Sequence, residues 1–199
     1  NIIILFIEGG EIIMTIGERI RKIRDFRNLT QKELGVELGF PESNAGIRIA
    51  QYESNTRVPK KETSIQISKV LKCNYISIYD GTDLGSAERT MQNLFWLEEL
   101  SSVSLFVYPL ERYSDKSDNV IVTGKYNSYN FPSVSPPIGI AMSYNIVNNF
   151  MNEWAIRKEE LQSSKISKAE YFEWKINWPS SCDDCGKTIP TYKWKNQEK

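Results

Sequence analysis

No histidine occurs among the 199 residues, and its absence removes the side chain most used for acid–base chemistry at neutral pH and for holding transition metals. Cysteine is scarce as well. Cys73, Cys182 and Cys185 form an odd set, which makes no disulfide framework and suits a reducing compartment. No apolar run approaches the roughly 20 residues that cross a bilayer, so a cytoplasmic chain without a membrane partner is expected. Internal repeats and paired catalytic motifs are also missing, and an enzyme is not expected. Nor is there an excess of one charge, since 25 Lys and Arg balance 25 Asp and Glu.

The balance is uneven along the chain. Residues 14–80 carry 12 Lys and Arg against 8 Asp and Glu, whereas 81–199 carry 13 against 15. A locally basic unit inside a neutral chain suits a polyanion partner. With 40% apolar and 25% charged residues the composition is that of a globular protein, and the length accommodates two domains of about 100 residues each. Residues 1–13, NIIILFIEGGEII, lack an initiating methionine. Glu8-Gly9-Gly10 can be encoded by the purine-rich tract that bacterial ribosomes use, so Met14 is the expected start and 1–13 an upstream extension of a bacterial reading frame. The alternative is a short N-terminal strand.

From Thr15, Ile16, Ile20, Ile23 and Phe26 recur at spacings of four and three, the period of an amphipathic helix. Thr15 with Glu18 fits a capping box, and Thr30 with Glu33 repeats it. A second helix should therefore begin at Gln31, bury Leu34 and Leu38, and stop at Gly39. Gly35 interrupts it, where glycine costs about 1 kcal/mol relative to alanine; a second helix crossing tightly at that point would explain its presence. A third helix is expected from about Glu42 to Glu53, with Ala45, Ile49 and Tyr52 facing the core. Its other face is the notable one. Asn44, Ile47, Arg48 and Gln51 follow one another at helical spacing, just after Ser43, in a stripe pointing away from that core. Amides pair with adenine edges, guanidinium with guanine, and isoleucine with the thymine methyl in the major groove. A solvated face is the alternative.

Gln31, Gly35 and Gly39, in "LTQKELGVELG" and followed by "RIAQYESNTRVPKKE", resemble the helix-turn-helix of the Xre/Cro repressor-type family over about Thr15 to Asp80. The resemblance implies a five-helix, lambda-repressor-like domain, with Gln31 meeting a phosphate and the Asn44 to Gln51 stripe entering the groove. About four residues more than the common form separate Gly39 from Tyr52, so either the third helix is a turn longer or the turn before it is larger. Arg57, Lys60 and Lys61 crowd the start of a fourth helix, expected over 61–71, where they would position the protein on the backbone of double-stranded DNA. Asn74 to Asp80 should close the domain with a short helix or turn, and Cys73 is read as a small buried hydrophobe.

Residues 81–86, GTDLGS, read as a linker. Beyond it, 87–199 is expected to be an α+β domain. It should hold an apolar helix with Met91, Leu94, Phe95, Leu97 and Leu100, and a small β-hairpin from "VSLFVYPL" and "NVIVTGKY" with "ERYSDKSD" between. A long helix should follow with Ile146, Phe150, Trp154 and Leu161 near one face, then another at "KAEYFEWKINW". Tyr171, Phe172, Trp174 and Trp178 are read as core, with the lining of a ligand pocket as the alternative. Cys182 and Cys185 in "CDDCGK" have the spacing of half a zinc knuckle. Two such pairs in a symmetric dimer would complete a zinc site, Asp183 and Asp184 could contribute, redox exchange is a further alternative, and an unliganded reduced pair is the default.

These features lead to the expectation of a bacterial transcriptional regulator, a repressor, binding a palindromic operator as a homodimer, with the second domain dimerising it or sensing an effector. The rival is an antitoxin-like autoregulatory protein whose second domain binds a partner protein.

Overall fold

A computed structural model of the chain describes residues 14–79, 86–100, 107, 110–114, 120–124 and 145–195. The expectations for residues 1–13, for most of the 81–86 linker and for most of "VSLFVYPL" lie outside them. α1 (Ile16–Phe26) starts where Thr15 accepts from the Glu18 N–H while the Glu18 carboxylate accepts from the Thr15 N–H. Thr30 and Glu33 repeat this reciprocal cap on α2 (Gln31–Glu37). Then come α3 (Ala45–Glu53), α4 (Lys61–Val70) and the single turn α5 (Tyr75–Ile78). The periodic apolar positions converge: Ile20, Ile23, Leu34, Ile49, Ile67, Leu71 and Ile78 are completely buried in one core. Each such side chain contributes about 1.5–3 kcal/mol by leaving water. Cys73 packs at the edge of this core, and burial pushes its thiol up to about 12.

α6 (Ala87–Glu99) begins at Ser86, whose hydroxyl accepts from the Arg89 N–H, so Ser86 is a helix cap. β1 (Leu110–Ser114) and β2 (Val120–Gly124) pair antiparallel, with Arg112 opposite Val122. β1 therefore occupies the charged segment assigned by sequence to the connection. α7 (Asn145–Gln162) and α8 (Lys168–Asn177) follow, α8 with a third capping box from Ser167 and Glu170. A second core gathers around Phe95, whose ring meets Trp154 and Trp174 edge-on at 5.1 Å and Trp178 at 5.9 Å; such pairs add about 0.5–1.5 kcal/mol each beyond area burial. Ile146 does not join it. It is half exposed, and the inward position belongs to Val147, one residue further round the helix.

The C-terminal helices are seated on α1 and α5. Phe172 of α8 meets Phe26 edge-on at 4.8 Å, and Glu173 receives both Arg27 guanidinium nitrogens at 2.6 and 2.9 Å. The Ile176 carbonyl accepts from the Asn74 N–H at 2.8 Å and the Ser77 hydroxyl at 2.7 Å, and Trp96 Nε1 donates to the Ser77 carbonyl. Trp96, Phe172 and Ile176 are thereby members of the first core.

Charge completes the junction. Lys175, almost wholly buried, donates to Glu98 and Glu99; Lys158 also holds Glu98, and Lys22 of α1 holds Glu99 at 2.7 Å. Burial pushes both carboxyls up, but the ammonium groups outweigh it and leave both below their ordinary value. A carboxyl depressed in the folded state stabilises fully above its unfolded value and loses that contribution as pH falls through the folded one. Thermal stability is therefore expected to drop as pH falls below about 4.3, the ordinary glutamate value. Melting temperature against pH checks it, and the drop should shrink in Glu99→Gln, whose amide does not titrate.

Candidate nucleic-acid interface

α3 crosses α2 at Gly35. A Cβ placed there would stand 2.5 Å from the Ala45 carbonyl oxygen and 2.7 Å from its carbon, so the crossing admits only glycine. This is the close approach for which the mid-helix glycine called. A second approach went unseen in the sequence. A Cβ on Gly17 would lie 2.3 Å from the Tyr52 carbonyl oxygen. Asn55, at φ 56, fastens the same place, accepting from the Gly17 N–H at 3.1 Å and donating to the Thr15 hydroxyl at 2.8 Å. The end of α3 is thus locked to the start of α1.

The extra residues between Gly39 and Tyr52 enlarge the turn rather than the helix. Gly39 takes φ 82, and the N–H groups of Asn44 and Ala45 both donate to the Pro41 carbonyl at 3.0 and 2.9 Å. α3 consequently starts at Ala45, three residues after the expected Glu42. Ser43 is exposed in the turn, and Asn44 is the residue before the helix, without a side-chain cap bond. Its side-chain oxygen is buried and has no hydrogen-bond partner among the described residues. Ala45, Ile49, Tyr52 and Glu53 face inward.

The outward face carries the other residues singled out. Ile47 is 60% exposed, unusual for an isoleucine. Arg48 lies over the Phe40 ring, its guanidinium carbon 5.5 Å from the ring centroid, a placement the sequence reading missed. Gln51 is half-buried beside them. Arg57, Lys60 and Lys61 are all exposed. The Arg57 N–H donates to the Gln51 carbonyl at 3.0 Å, which folds the loop back against α3. Lys60 is the residue before α4, whose start has no side-chain cap, so its first N–H groups remain open to an anion.

At α2 the situation differs. Thr30 and Glu33 close its N-terminus and put a carboxylate there, and one Gln31 amide hydrogen donates to Glu53 at 2.8 Å. The starts of α3 and α4 both lack a side-chain cap, and that of α4 is the one with Arg57, Lys60 and Lys61 around it. Glu53 is itself the hub of a buried network: Arg24 reaches it through Nε at 2.5 Å and Nη2 at 3.1 Å, while Nη1 donates to the Leu29 carbonyl at 2.6 Å. The Glu53 hydrogen bond is the leading cause that raises the Arg24 pKa above its ordinary value. Glu53 of α3 thus holds α1 through Arg24 and α2 through Gln31, and Arg24 also ties in the α1–α2 turn at Leu29. The only signal in the sequence was a charge at each of two positions beside core residues.

Cys182 and Cys185 surround a different carboxylate. Glu153, 1% exposed, accepts from the Cys182 thiol at 2.8 Å, the Asp183 N–H at 3.2 Å and the Trp174 indole at 3.2 Å. Burial, reinforced by the hydrogen bond to Glu153, pushes the Cys182 thiol up to about 12, which disfavours the thiolate that zinc requires. Among the described residues, no three His, Cys, Asp or Glu side chains are grouped to hold a metal ion, and no helix is long and apolar enough to cross a membrane.

No curated protein and no solved structure matches the chain. Residues 17–84 match the family model described as a helix-turn-helix domain, and with α3 laid across α2 at Gly35 this part of the chain is a helix-turn-helix domain.

Proposed function

We propose that the chain is a sequence-specific DNA-binding transcriptional regulator, a repressor and not an enzyme, that reads a palindromic operator as a homodimer with α3 in the major groove. The observation that carries the proposal is the outward face of α3. The C-terminal helices are fastened through α1 and α5 and leave Ile47 60% exposed. An isoleucine in that position, beside a guanidinium and an amide, suits the edges of bases. The uncapped start of α4, with Arg57, Lys60 and Lys61 around it, suits a backbone phosphate. Two copies would meet half-sites about 34 Å apart, one turn of DNA.

Selection from a random DNA pool supplies the operator, and two variants then separate the roles. Arg48→Ala is expected to relax preference at one base position, at a cost of about 1–3 kcal/mol on the selected site. Lys60→Ala is expected to weaken every sequence alike and to lower the slope of log affinity against log salt by about one. Equal losses on all sequences for both variants would remove base reading from α3.

A further inference from the structure

A cavity of about 460 Å³ opens between α1 and the C-terminal helices, lined by Phe26, Leu161, Tyr171 and Phe172 with Lys22 and Lys168. Its size falls within the roughly 300–1,000 Å³ of small-molecule sites, and its make-up, mostly apolar walls with a few polar groups, is theirs too. The charges around it decide what fits. Glu98 and Glu99 also line it, but Glu98 already accepts from Lys158, Lys175 and the Tyr171 hydroxyl, and Glu99 from Lys175 and Lys22. Neither carboxylate is left to recruit a cation. Lys168, by contrast, is exposed and has no hydrogen-bond or ion-pair partner among the described residues. Lys22 and Lys168 line the cavity with Glu98 and Glu99, and since Lys158 and Lys175 also hold those carboxylates, Lys168 is the lining charge left over.

We infer that this cavity is a ligand site for a small aromatic carboxylate, its ring among Phe26, Leu161, Tyr171 and Phe172 and its carboxylate on Lys168. A neutral ring would gain the apolar contacts alone, and an amine would meet the unpaired ammonium of Lys168. The site also touches the helix-turn-helix directly, because Phe26 and Lys22 belong to α1, and α1 holds α3 through Arg24 and Glu53. A ligand seated there fastens α8 to α1 and is positioned to alter the setting of α3. That last step rests on the proposed DNA reading; occupancy of the cavity does not.

The test is calorimetric titration of the full chain with naphthoate and with naphthalenemethanol, which share a ring and differ in charge. Naphthoate is expected to bind at least about tenfold more tightly, as one charge-assisted hydrogen bond allows. Lys168→Glu should remove that advantage and leave naphthalenemethanol unchanged. The substitution sits in the first turn of α8, where an acidic side chain favours the helix, so the fold is kept. Leu161→Trp, which fills the cavity, should abolish both. Equal binding of the two compounds to the unaltered chain, a naphthoate advantage that survives Lys168→Glu, or binding of either compound that survives Leu161→Trp, would overturn the site. Titration of the selected operator with and without naphthoate reads the coupling separately: binding in the calorimeter with unchanged operator affinity retains the ligand site and overturns only its link to α3.

Discussion

Replacing Gly35 by alanine is expected to unfold the N-terminal helices well below the melting temperature of the unaltered chain, whereas replacing Gly46 by alanine should raise it. Gly35 is mid-helix and Gly46 is in the first turn of α3, so alanine returns about 1 kcal/mol of helix propensity at the first and at most that at the second. They differ in what the new methyl group meets. At Gly35 the nearest atoms are the Ala45 carbonyl oxygen at 2.5 Å, its carbon at 2.7 Å and the Ala45 Cβ at 2.8 Å. Two of these are backbone atoms of the first residue of α3, which cannot retreat without moving the helix. Overpacking costs about 1–3 kcal/mol where side chains can adjust, and here they cannot, so the upper end or beyond applies. Net of propensity, a loss of at least about 2 kcal/mol is expected, or roughly 10 °C for a domain of this size. At Gly46 the nearest atom is the Lys32 nitrogen at 3.6 Å, an ordinary contact, so the propensity gain should appear as a rise of up to about 4 °C. Thermal unfolding followed by circular dichroism distinguishes them. A Gly35→Ala chain as stable as the original would mean that α2 and α3 are further apart than described.

That pair shows what kind of information the sequence carries. Helix periodicity and capping boxes depend on neighbours three and four residues away, so α1 and α2 and the inward positions Ile20, Ile23, Leu34 and Ile49 were legible one by one. Gly35 was legible as an anomaly, a residue unfavourable where it stands and therefore in need of a distant partner. Gly17 gave no such signal, because a glycine in the first turn of a helix is unremarkable, and its partner at Tyr52 is brought near only by the fold. The start of α3 was misplaced because Pro41 to Asn44 turns with helix-like hydrogen bonds, and composition does not separate one such turn from a helix. Ile146 was misplaced for a related reason: with Val147 beside it, two apolar residues compete for one inward position, and packing against Trp-rich neighbours decides. At the candidate site the outward position of Ile47 was readable from spacing, but Asn44, expected in the same stripe, precedes the helix with its side-chain oxygen buried. The Phe40 ring under Arg48, the tether from Gln31 to Glu53 and the closed start of α2 were not readable, since each joins positions whose contact is tertiary. Glu153 beneath the cysteine pair belongs with them.

Glu53→Ala is the second substitution expected to have a large effect, and it tests whether the interface is assembled through a buried carboxylate. Arg24 and Glu53 are each 8% exposed. Removing the carboxylate leaves a guanidinium with little access to water and strips Gln31 of its acceptor. Breaking a buried pair by deleting one partner costs about 3–5 kcal/mol, a large share of the roughly 5–15 kcal/mol that holds a domain together. The lower end is the better figure here, because Arg24 keeps Asp25 at 2.7 Å, and Asp25 is more than half exposed. Urea unfolding of the single variant should show this loss. Replacing both partners, Arg24→Met with Glu53→Leu, removes the stranded charge along with the bond, and an apolar pair of similar volume is often neutral or better. The double variant should thus be more stable than Glu53→Ala, short of full recovery because the Leu29 carbonyl loses its donor. It should nevertheless bind DNA less well than its stability implies, since Gln31, freed from Glu53, no longer holds α2 and α3 in one setting. A double variant that regained both stability and operator affinity would mean that packing alone sets α3, and that the carboxylate serves only to neutralise the arginine beside it.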